Sequence, residues 1–278
     1  MLKSWTRVFL DKDGSITDKS IASQDGNGFS CDLTTSEYLY IGQYFPFNNF
    51  SVDMLTANVS AGSLDIEYWD GSAFENVVDI LDGSVSGGIT LGKNGTIQFQ
   101  PDKNNSWSCI SDTSDESDFP LSGSSVYDLY WLRIKPSSNI GASCSLKYLR
   151  YKFCEHADLI KEDPEINEYL AAWGGPTKTS WDEQIYVATD NIISDLRGRK
   201  LIMHPGQILR FEDVHKACVY QTLVVIYSQL GDSFKGKVDT YIKHYKSHLG
   251  DKRFTFDVNL NASVDVGEQN LTVGMGVR

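Results

Sequence analysis

The fold is decided by residues 179–250, which read TSWDEQIYVATDNIISDLRGRKLIMHPGQILRFEDVHKACVYQTLVVIYSQLGDSFKGKVDTYIKHYKSHLG. Apolar residues recur in this stretch at steps of three and four, the spacing that places side chains on one face of a helix. Glycines and the turn at residues 204–206 divide it into three such runs. The stretch therefore predicts three consecutive α-helices.

The first predicted helix begins at Ser180, which is followed three residues later by Glu183. This is the pattern of a capping box, in which the hydroxyl and the carboxylate satisfy backbone N–H groups. Gly198 ends the helix, because glycine readily adopts the left-handed conformation found at helix C-termini. The apolar stripe comprises Trp181, Ile185, Ala188, Ile192 and Leu196.

The second helix is expected from about Leu209 to Leu230. Its apolar residues cover more than one face, which is typical of a central, buried helix. The third helix is expected from about Ser233 to Leu249 and is stopped by Gly250. One buried helix between two amphipathic ones makes a small helical bundle.

Composition limits the classes of function. The chain has 278 residues, a net charge of −12 and a pI near 4.8, a length that suits two domains. The acidic balance argues against a nucleic-acid surface that neutralises phosphates. No apolar run approaches the length of a membrane span, so no membrane association is expected.

The five cysteines have no metal-binding spacing and predict free, buried thiols in a reducing cytosol. They are Cys31, Cys109, Cys144, Cys154 and Cys218.

Short strands separated by turn residues follow one another from Tyr38 onward. Asp70-Gly71 between two apolar runs is a hairpin signal, and the segment Asp102–Ser125 predicts a long polar loop. Many short strands with frequent turns predict an antiparallel β-sandwich that is jelly-roll-like. The predicted strands are Tyr38–Ile41, Phe50–Ala57, Leu64–Trp69, Phe74–Ile80, Thr96–Phe99, Tyr127–Ile134 and Ser143–Tyr151.

The predicted fold class is thus α+β and multidomain. We place a β-sandwich domain at 1–152, a helical bundle at 153–250 and an extended β arm at 251–278. Asp163-Pro164 opens a further short helix, because aspartate caps helices and proline fits their first position.

The arm shows alternating apolar residues and has no further helix to cover them. Either it adds to a sheet of a neighbouring chain or partner, or it folds back on its own bundle as a hairpin. Its predicted partner-binding residues are Phe254, Phe256, Val258, Leu260, Val264, Val266, Leu271, Val273 and Val277.

Two patterns resemble metal sites. The loop Asp11–Asp18 places carboxylates at alternate positions like a calcium loop, but Ile16 stands where the sharp turn needs glycine, so a plain acidic turn is the alternative. His244 and His248 have the i, i+4 spacing of metal ligands, but no further ligand follows, and a solvated helix face is the simpler interpretation.

Asp65 and Glu67 lie on one face of a predicted strand and could form a glycosidase pair, although any solvent face of a strand looks similar. No nucleophile-elbow or phosphate-binding motif is present. We therefore assign no catalytic, cofactor or metal-binding residue and expect that the chain is not an enzyme.

The order of elements in residues 153–278 carries a family resemblance. The features are a helix over Trp181–Arg197, the turn His204-Pro205-Gly206, a long helix with Ala217–Leu223 and Ile226-Tyr227, a helix with Tyr241 and Tyr245, and an alternating arm ending in Arg278. In these features the segment resembles the head-to-tail adaptor (connector) proteins of tailed bacteriophages.

This resemblance implies a ring, usually dodecameric, that connects the portal protein at the capsid vertex to tail or neck proteins. The arm would latch onto the portal, and DNA would pass through the channel without specific binding. The location would be the neck of the virion, after synthesis in the host cytoplasm. An acidic lumen would avoid binding the genome, with candidates Asp182, Glu183, Asp190, Asp195, Glu212 and Asp213.

Segments Leu39–Gly42, Glu67–Ser72 and Tyr130–Ile134 resemble β-sandwich domains inserted in phage virion proteins, some of which decorate the neck while others bind glycans. The alternative function is therefore a carbohydrate- or receptor-binding tail protein. It needs exposed aromatic platforms, for which the candidates are Trp69, Phe74, Trp107 and Trp131. A third class, a hydrolase of cell-wall glycans, needs a polar cleft with a perturbed carboxylate.

Overall fold

The structure is a computed structural model that describes residues 6–101, 107–117, 119–174, 178–251, 253–263 and 271–272. The chain forms two compact units. The first contains residues 1–150 together with 259–263, and the second begins at Tyr151 and contains the helices. The boundary predicted from the sequence lies two residues later, after residue 152, and that prediction assigns residues 251–278 to a separate arm. The α+β class, with antiparallel sheets followed by helices, is confirmed.

The strands of the first unit are β1 (Thr6–Lys12), β2 (Ser15–Asp18), β3 (Phe29–Ser30), β4 (Tyr38–Gln43), β5 (Asn49–Thr56), β6 (Leu64–Trp69), β7 (Phe74–Asn76), β8 (Val78–Asp82), β9 (Gly95–Gln100), β10 (Cys109–Asp112), β11 (Tyr127–Pro136) and β12 (Ser145–Arg150). The first sheet has the order β2-β1-β4-β11-β6-β7, and β10 also pairs with β11. The second sheet has the order β3-β12-β5-β9-β8. The pairings between these strands are antiparallel.

The two sheets bury a common core. Successive side chains of a strand point to opposite faces, so Val8 and Leu10 of β1 enter this core while Phe9 faces the other way. The core includes Leu39, Ile41 and Leu132 from the first sheet and Phe50, Val52, Ile97 and Leu146 from the second.

A second apolar layer covers the outer face of the first sheet, and we call it the outer cluster. It consists of Phe9, Tyr40, Trp69, Ile110, Phe119, Leu121, Leu129 and Trp131. Much of its cover comes from the segment predicted as a long polar loop, which contains strand β10 and the buried Phe119 and Leu121. The loop prediction was wrong for β10, because that strand is defined by pairing with β11 and not by its own alternation.

The segment Asp11–Asp18 contains a tight hairpin turn between β1 and β2, which agrees with the alternative of a plain acidic turn. Asp13 and Gly14 lie at φ of 51° and 78°, as type I′ turns require. One strand prediction is corrected. The predicted strand Phe74–Ile80 is two strands, because β7 pairs with β6 in the first sheet and β8 pairs with β9 in the second. The chain therefore changes sheets at Val77.

The helices of the second unit are α1 (His156–Glu162), α2 (Tyr169–Gly174), α3 (Asp182–Gly198), α4 (Phe211–Leu230) and α5 (Lys235–Asp251). Both α3 and α5 pack against α4, which supplies buried residues such as Val214, Leu223 and Ile226. The predicted helix at Asp163-Pro164 is a 3₁₀ turn, Pro164–Glu168, that leads into α2. None of the described helices is long and apolar enough to cross a membrane.

The ends of α3 differ from the prediction. No capping box forms, because the Ser180 hydroxyl donates to the Asp182 carboxylate at 2.5 Å and Trp181 occupies the cap position. The Trp181 indole is buried and donates to the Ile166 carbonyl at 3.3 Å. Gly198 is the last helical residue, and the left-handed residue after the helix is Lys200, with φ of 60°.

The segment after α5 corrects much of the arm prediction. Phe254 and Phe256 are 1% and 2% exposed and belong to the core of the second unit, so they are not available to a neighbouring chain. Phe254, in β13 (Arg253–Phe254), pairs with Leu271 in β14 (Leu271–Thr272), as in a hairpin.

Hydrogen bonds hold the same segment against the start of α4. The Asp213 carboxylate accepts from the Thr255 backbone N–H at 2.8 Å, and the Gln207 carbonyl accepts from the Asp257 N–H at 2.9 Å. Val258 is 65% exposed, and Leu260 is partly exposed. The predicted arm residues Val264, Val266, Val273 and Val277 lie outside the described residues.

Candidate functional site

The position of α5 is determined by a buried carboxylate, Asp163, at the start of the 3₁₀ turn. It accepts hydrogen bonds from the Tyr227 hydroxyl at 2.6 Å and from the Tyr241 hydroxyl and the Lys237 ammonium group at 2.9 Å. Lys237 also contacts Glu165 at 2.8 Å. Because Tyr227 lies on α4 while Lys237 and Tyr241 lie on α5, one carboxylate joins both helices to the turn.

Electrostatics keep this cluster in one protonation state. Burial raises the pKa of the Asp163 carboxyl group, but the hydrogen bonds from Tyr227, Lys237 and Tyr241 outweigh burial, and the pKa lies below its ordinary 3.8. Burial and the hydrogen bond to Asp163 raise the pKa of the Tyr227 and Tyr241 hydroxyls. The hydroxyls therefore remain donors and the carboxylate remains an acceptor.

The other end of α5 is tied to α3. The Tyr245 hydroxyl donates to the Asp195 carboxylate, and the Arg199 guanidinium donates to the Leu249 carbonyl at 3.0 Å. Burial, with the Asp195 carboxylate, raises the pKa of Tyr245. Helix α5 is therefore held at both ends, and its orientation determines which residues face solvent.

The exposed side of α5 is basic. Four exposed residues recur along α5 at steps of four, four and three, so they lie on one helix face. They are Lys235, Asp239, Lys243 and Lys246. Among the described residues, none of these three lysines makes an ion pair. We call this surface the α5 lysine face.

The exposed side of α3 is acidic and has an apolar centre. Four exposed residues recur along α3 at steps of four, three and four, namely Glu183, Val187, Asp190 and Ser194. Val187, which is 47% exposed, lies between the two carboxylates. We call this surface the α3 acidic face.

Some of the predicted channel carboxylates have internal roles. Asp182 pairs with the fully buried Lys152 at 2.8 Å, and Asp195 and Asp213 accept the hydrogen bonds described above. Asp195 is nevertheless exposed, as are Glu183, Asp190 and Glu212. Sequence periodicity alone does not separate these two groups, because the partners of the internal carboxylates come from distant parts of the chain.

His244 and His248 lie beside the ring of Tyr220, with ring centroids 5.1 and 5.4 Å away. The i, i+4 spacing of the two histidines therefore places both rings against Tyr220. Within the described residues, no group of three or more histidine, cysteine, aspartate and glutamate side chains could hold a metal ion. Cys109 is exposed, which corrects the prediction of five buried thiols.

The predicted aromatic platform is contradicted for three of its four rings. Trp69, Trp107 and Trp131 are buried, Trp107 in the sandwich core and the other two in the outer cluster. Phe74 is partly buried, and the Arg133 guanidinium lies 4.2 Å above its ring. The rings are covered because the sheet has apolar layers on both faces.

The two predicted carboxylates of β6, Asp65 and Glu67, have different surroundings. Glu67 is buried and forms ion pairs with Arg133 and, at 3.7 Å, with Lys135. Asp65 lies opposite Lys135 in the register between β6 and β11. Glu67 is thus engaged in ion pairs across the sheet rather than arranged with Asp65 around a cleft.

No family profile, curated protein or solved structure matches this chain. Its function must therefore be argued from its own surfaces. Sequence reasoning missed the α5 lysine face, although the spacing of the lysines within the predicted third helix carries the signal.

Proposed function

We propose that this chain is a non-enzymatic structural virion protein of a tailed bacteriophage. In this proposal, copies form a ring that connects the portal protein to tail or neck proteins and lines the channel for DNA. No cofactor takes part. The proposal rests on the adaptor-like order of elements in the second unit and on the charges that its helices expose.

The observation that carries the proposal is the opposite charge of the α3 acidic face and the α5 lysine face. A closed ring uses heterologous contacts, in which each copy offers two different surfaces. Complementary charge on the two surfaces selects the partner and its orientation. The acidic face of one copy would contact the lysine face of the next.

The strength of such a contact comes from more than its ion pairs. An exposed ion pair contributes only about 0.2–1 kcal/mol. Val187, between Glu183 and Asp190, would add apolar area at the centre of the contact, where burial stabilises an interface most. A ring repeats the contact at every copy, so small contributions accumulate.

The net charge of −12 also supports a channel function. DNA phosphates are repelled by a surface of the same sign, so the genome would pass without being bound. The exposed Glu212, outside both contact faces, is a candidate for this lining.

The test is cryo-electron microscopy of virions whose copy of this chain carries a small density tag at its N-terminus. The expected result is a ring of tag density in the neck, between the capsid vertex and the tail. Density at fibres or at the tail tip would contradict the connector function and favour receptor binding. The absence of the tag from purified virions would contradict any structural role in the particle.

A further inference from the structure

A cavity of about 410 Å³ opens in the first unit at one end of the first sheet. It lies where β1 and β11 begin and where β2 and β4 end. Its volume is in the range of small-molecule sites. None of the proposed ring contacts involves this part of the chain, so the cavity calls for a separate explanation.

The cavity has an apolar floor and an aromatic rim. The floor is formed by Phe9 and Leu129, which belong to the outer cluster. Tyr44 and Tyr127 line the cavity and are 47% and 56% exposed. Exposed tyrosines combine an apolar ring face with a polar hydroxyl, a combination suited to ligands that have both characters.

One cation lies in the wall. Arg7 lines the cavity and is only partly exposed, and its guanidinium makes no hydrogen bond or ion pair within the described part of the chain. A guanidinium offers five N–H donors in a planar fork that matches a carboxylate. The cavity therefore contains a guanidinium that can pair with an anionic ligand.

The remaining wall supplies hydroxyl and carboxylate groups. Ser125 has a hydroxyl with no hydrogen-bond partner among the described residues. Asp18 accepts a hydrogen bond from the Ser20 N–H at 2.8 Å, and a carboxylate has capacity for more. These groups can bind the hydroxyl groups of a ligand.

The loop that forms one wall is held in place before any ligand binds. Thr113 is fully buried, and its hydroxyl donates to the Ser124 carbonyl and accepts from the Val126 N–H at 3.1 Å. The Thr113 N–H donates to the Val126 carbonyl at 3.0 Å. A preformed wall lowers the entropy cost of binding.

We propose that this cavity binds an acidic saccharide, a pyranose ring that carries a carboxylate. The carboxylate pairs with Arg7, and the C–H face of the sugar lies on Tyr44 or Tyr127. Sugar hydroxyls donate to Asp18 and exchange hydrogen bonds with Ser125. This binding activity goes beyond the proposed ring function and does not depend on it.

Simpler ligands fit these groups less well. An inorganic anion would use Arg7 but would leave the apolar floor and the tyrosine rings uncovered. A neutral sugar would use the rings but would offer the Arg7 guanidinium no carboxylate for a bidentate pair. An acidic saccharide uses both sets of groups.

The test is a titration of the full-length protein with N-acetylneuraminic acid and with glucuronic acid, followed by ligand-observed NMR. N-acetylglucosamine and inorganic phosphate are titrated in parallel. We expect saturable binding of at least one acid in the millimolar range, and weaker binding of both comparison compounds.

Three variants assign the binding to the cavity. Arg7→Gln removes the cation but keeps a polar side chain, and it should weaken binding of the acid about tenfold. Tyr127→Ala should also weaken it, and the exposure of this ring means that the fold is retained. Lys93→Gln, a loss of charge elsewhere in the first unit, should leave binding unchanged. Circular dichroism melting checks that the variants are folded.

Several outcomes would overturn the assignment. Phosphate binding as tightly as either acid would indicate a plain anion site. Equal effects of Arg7→Gln and Lys93→Gln would mean that the cation acts only through net charge. No saturable binding of either acid would exclude the saccharide altogether. The ring proposal is unaffected by each of these results, since it is tested on virions.

Discussion

The aromatic residues of the first unit and the lysines of the second unit differ in a way that sequence does not reveal. Trp69 and Trp131 resemble a binding platform in the sequence but are buried in the outer cluster. Lys243 and Lys246 resemble ordinary solvated residues but form an exposed face without internal partners among the described residues.

The difference arises from how each element is covered. The first sheet has apolar layers on both faces, so a large aromatic residue on either face is expected to be core. Within the described residues, helix α5 has an exposed side as well as a packed one, and its orientation is determined by hydrogen bonds to Asp163 and Asp195. Its outward residues are therefore defined and available to a partner. Whether a residue can belong to a binding surface depends on whether other parts of the fold pack over it, and composition alone does not show this.

The largest expected effect is the loss of a buried ring. Trp131→Ala should destabilise the first unit by about 3–5 kcal/mol, because it leaves a cavity in the outer cluster. Tyr127→Ala, four positions earlier on the same strand and 56% exposed, should change stability by no more than about 0.5 kcal/mol. Urea denaturation followed by tryptophan fluorescence measures both. Similar losses for the two variants would contradict the assignment of inner and exposed rings.

The second effect concerns acid sensitivity of the second unit. Burial, with the positive charge of Arg197 nearby, lowers the pKa of the His204 imidazole to about 3, from an ordinary 6.5. The unfolded chain binds this proton below pH 6.5 while the folded chain does not, so stability should fall as the pH decreases from 6.5 toward 3. The slope from one such group is at most about 1.4 kcal/mol per pH unit.

His204→Asn provides the comparison, because asparagine can accept the hydrogen bond that the imidazole Nδ1 now accepts from the Gly206 N–H at 3.1 Å. The variant should show a shallower decline of stability in that pH range. Thermal melting at a series of pH values measures this. Parallel pH profiles for the two proteins would show that His204 titrates normally.

The third effect is the loss of the carboxylate that holds α5. Asp163→Asn should destabilise the second unit by about 1–3 kcal/mol at neutral pH, because the donors of Lys237, Tyr227 and Tyr241 lose a charged acceptor. The folded-state pKa of Asp163 is lowered, so its contribution is present above pH 3.8 and is lost as the pH falls through the folded pKa.

The difference between Asp163→Asn and the native protein should therefore shrink in strong acid. Hydrogen exchange of α5 amide groups locates the effect in that helix. Glu162→Gln is a suitable control, since among the described residues Glu162 pairs only with the exposed Lys216. Equal losses for the two variants would contradict a special role for Asp163.

Much of the fold was predictable because the spacing of apolar residues along the chain indicates helices and strands locally. The helix predictions at 209–230 and 233–249 differ from α4 and α5 by two residues at most, since apolar spacing and glycine stops are local signals. Strand β10 and the capping of α3 were missed. Both depend on distant partners: β11 for the strand, and Ile166 for the Trp181 side chain that occupies the cap.

The candidate surfaces were less predictable for the same reason. Sequence identifies the acidic residues of α3 but not that Asp195 accepts a hydrogen bond from Tyr245, 50 residues away. Arg7 lies in β1, and only the folded sheet brings it to the cavity with Tyr44 and Tyr127. Surfaces built from several elements need the tertiary structure.

The smallest expected effect per contact, and the most direct test of the comparison, is charge reversal on the two helix faces. Lys243→Glu with Lys246→Glu should weaken ring assembly, and so should Glu183→Lys with Asp190→Lys, because each places like charges at the contact. Each exposed pair contributes only about 0.2–1 kcal/mol, so native mass spectrometry at low ionic strength is the appropriate measurement. The stability of the monomer should stay within about 0.5 kcal/mol.

Mixing the two double variants sharpens the prediction. In a ring where the two variants alternate, each contact again joins an acidic face to a basic face, so an equimolar mixture should recover assembly. Combining all four substitutions in one chain restores complementarity with its sign inverted and should recover assembly as well. Asp115→Lys with Glu116→Lys, two exposed carboxylates of the first unit, controls for net charge. If that control disrupts assembly as strongly, or if the fourfold variant fails to recover it, the two faces do not meet, because complementarity predicts rescue and net charge does not.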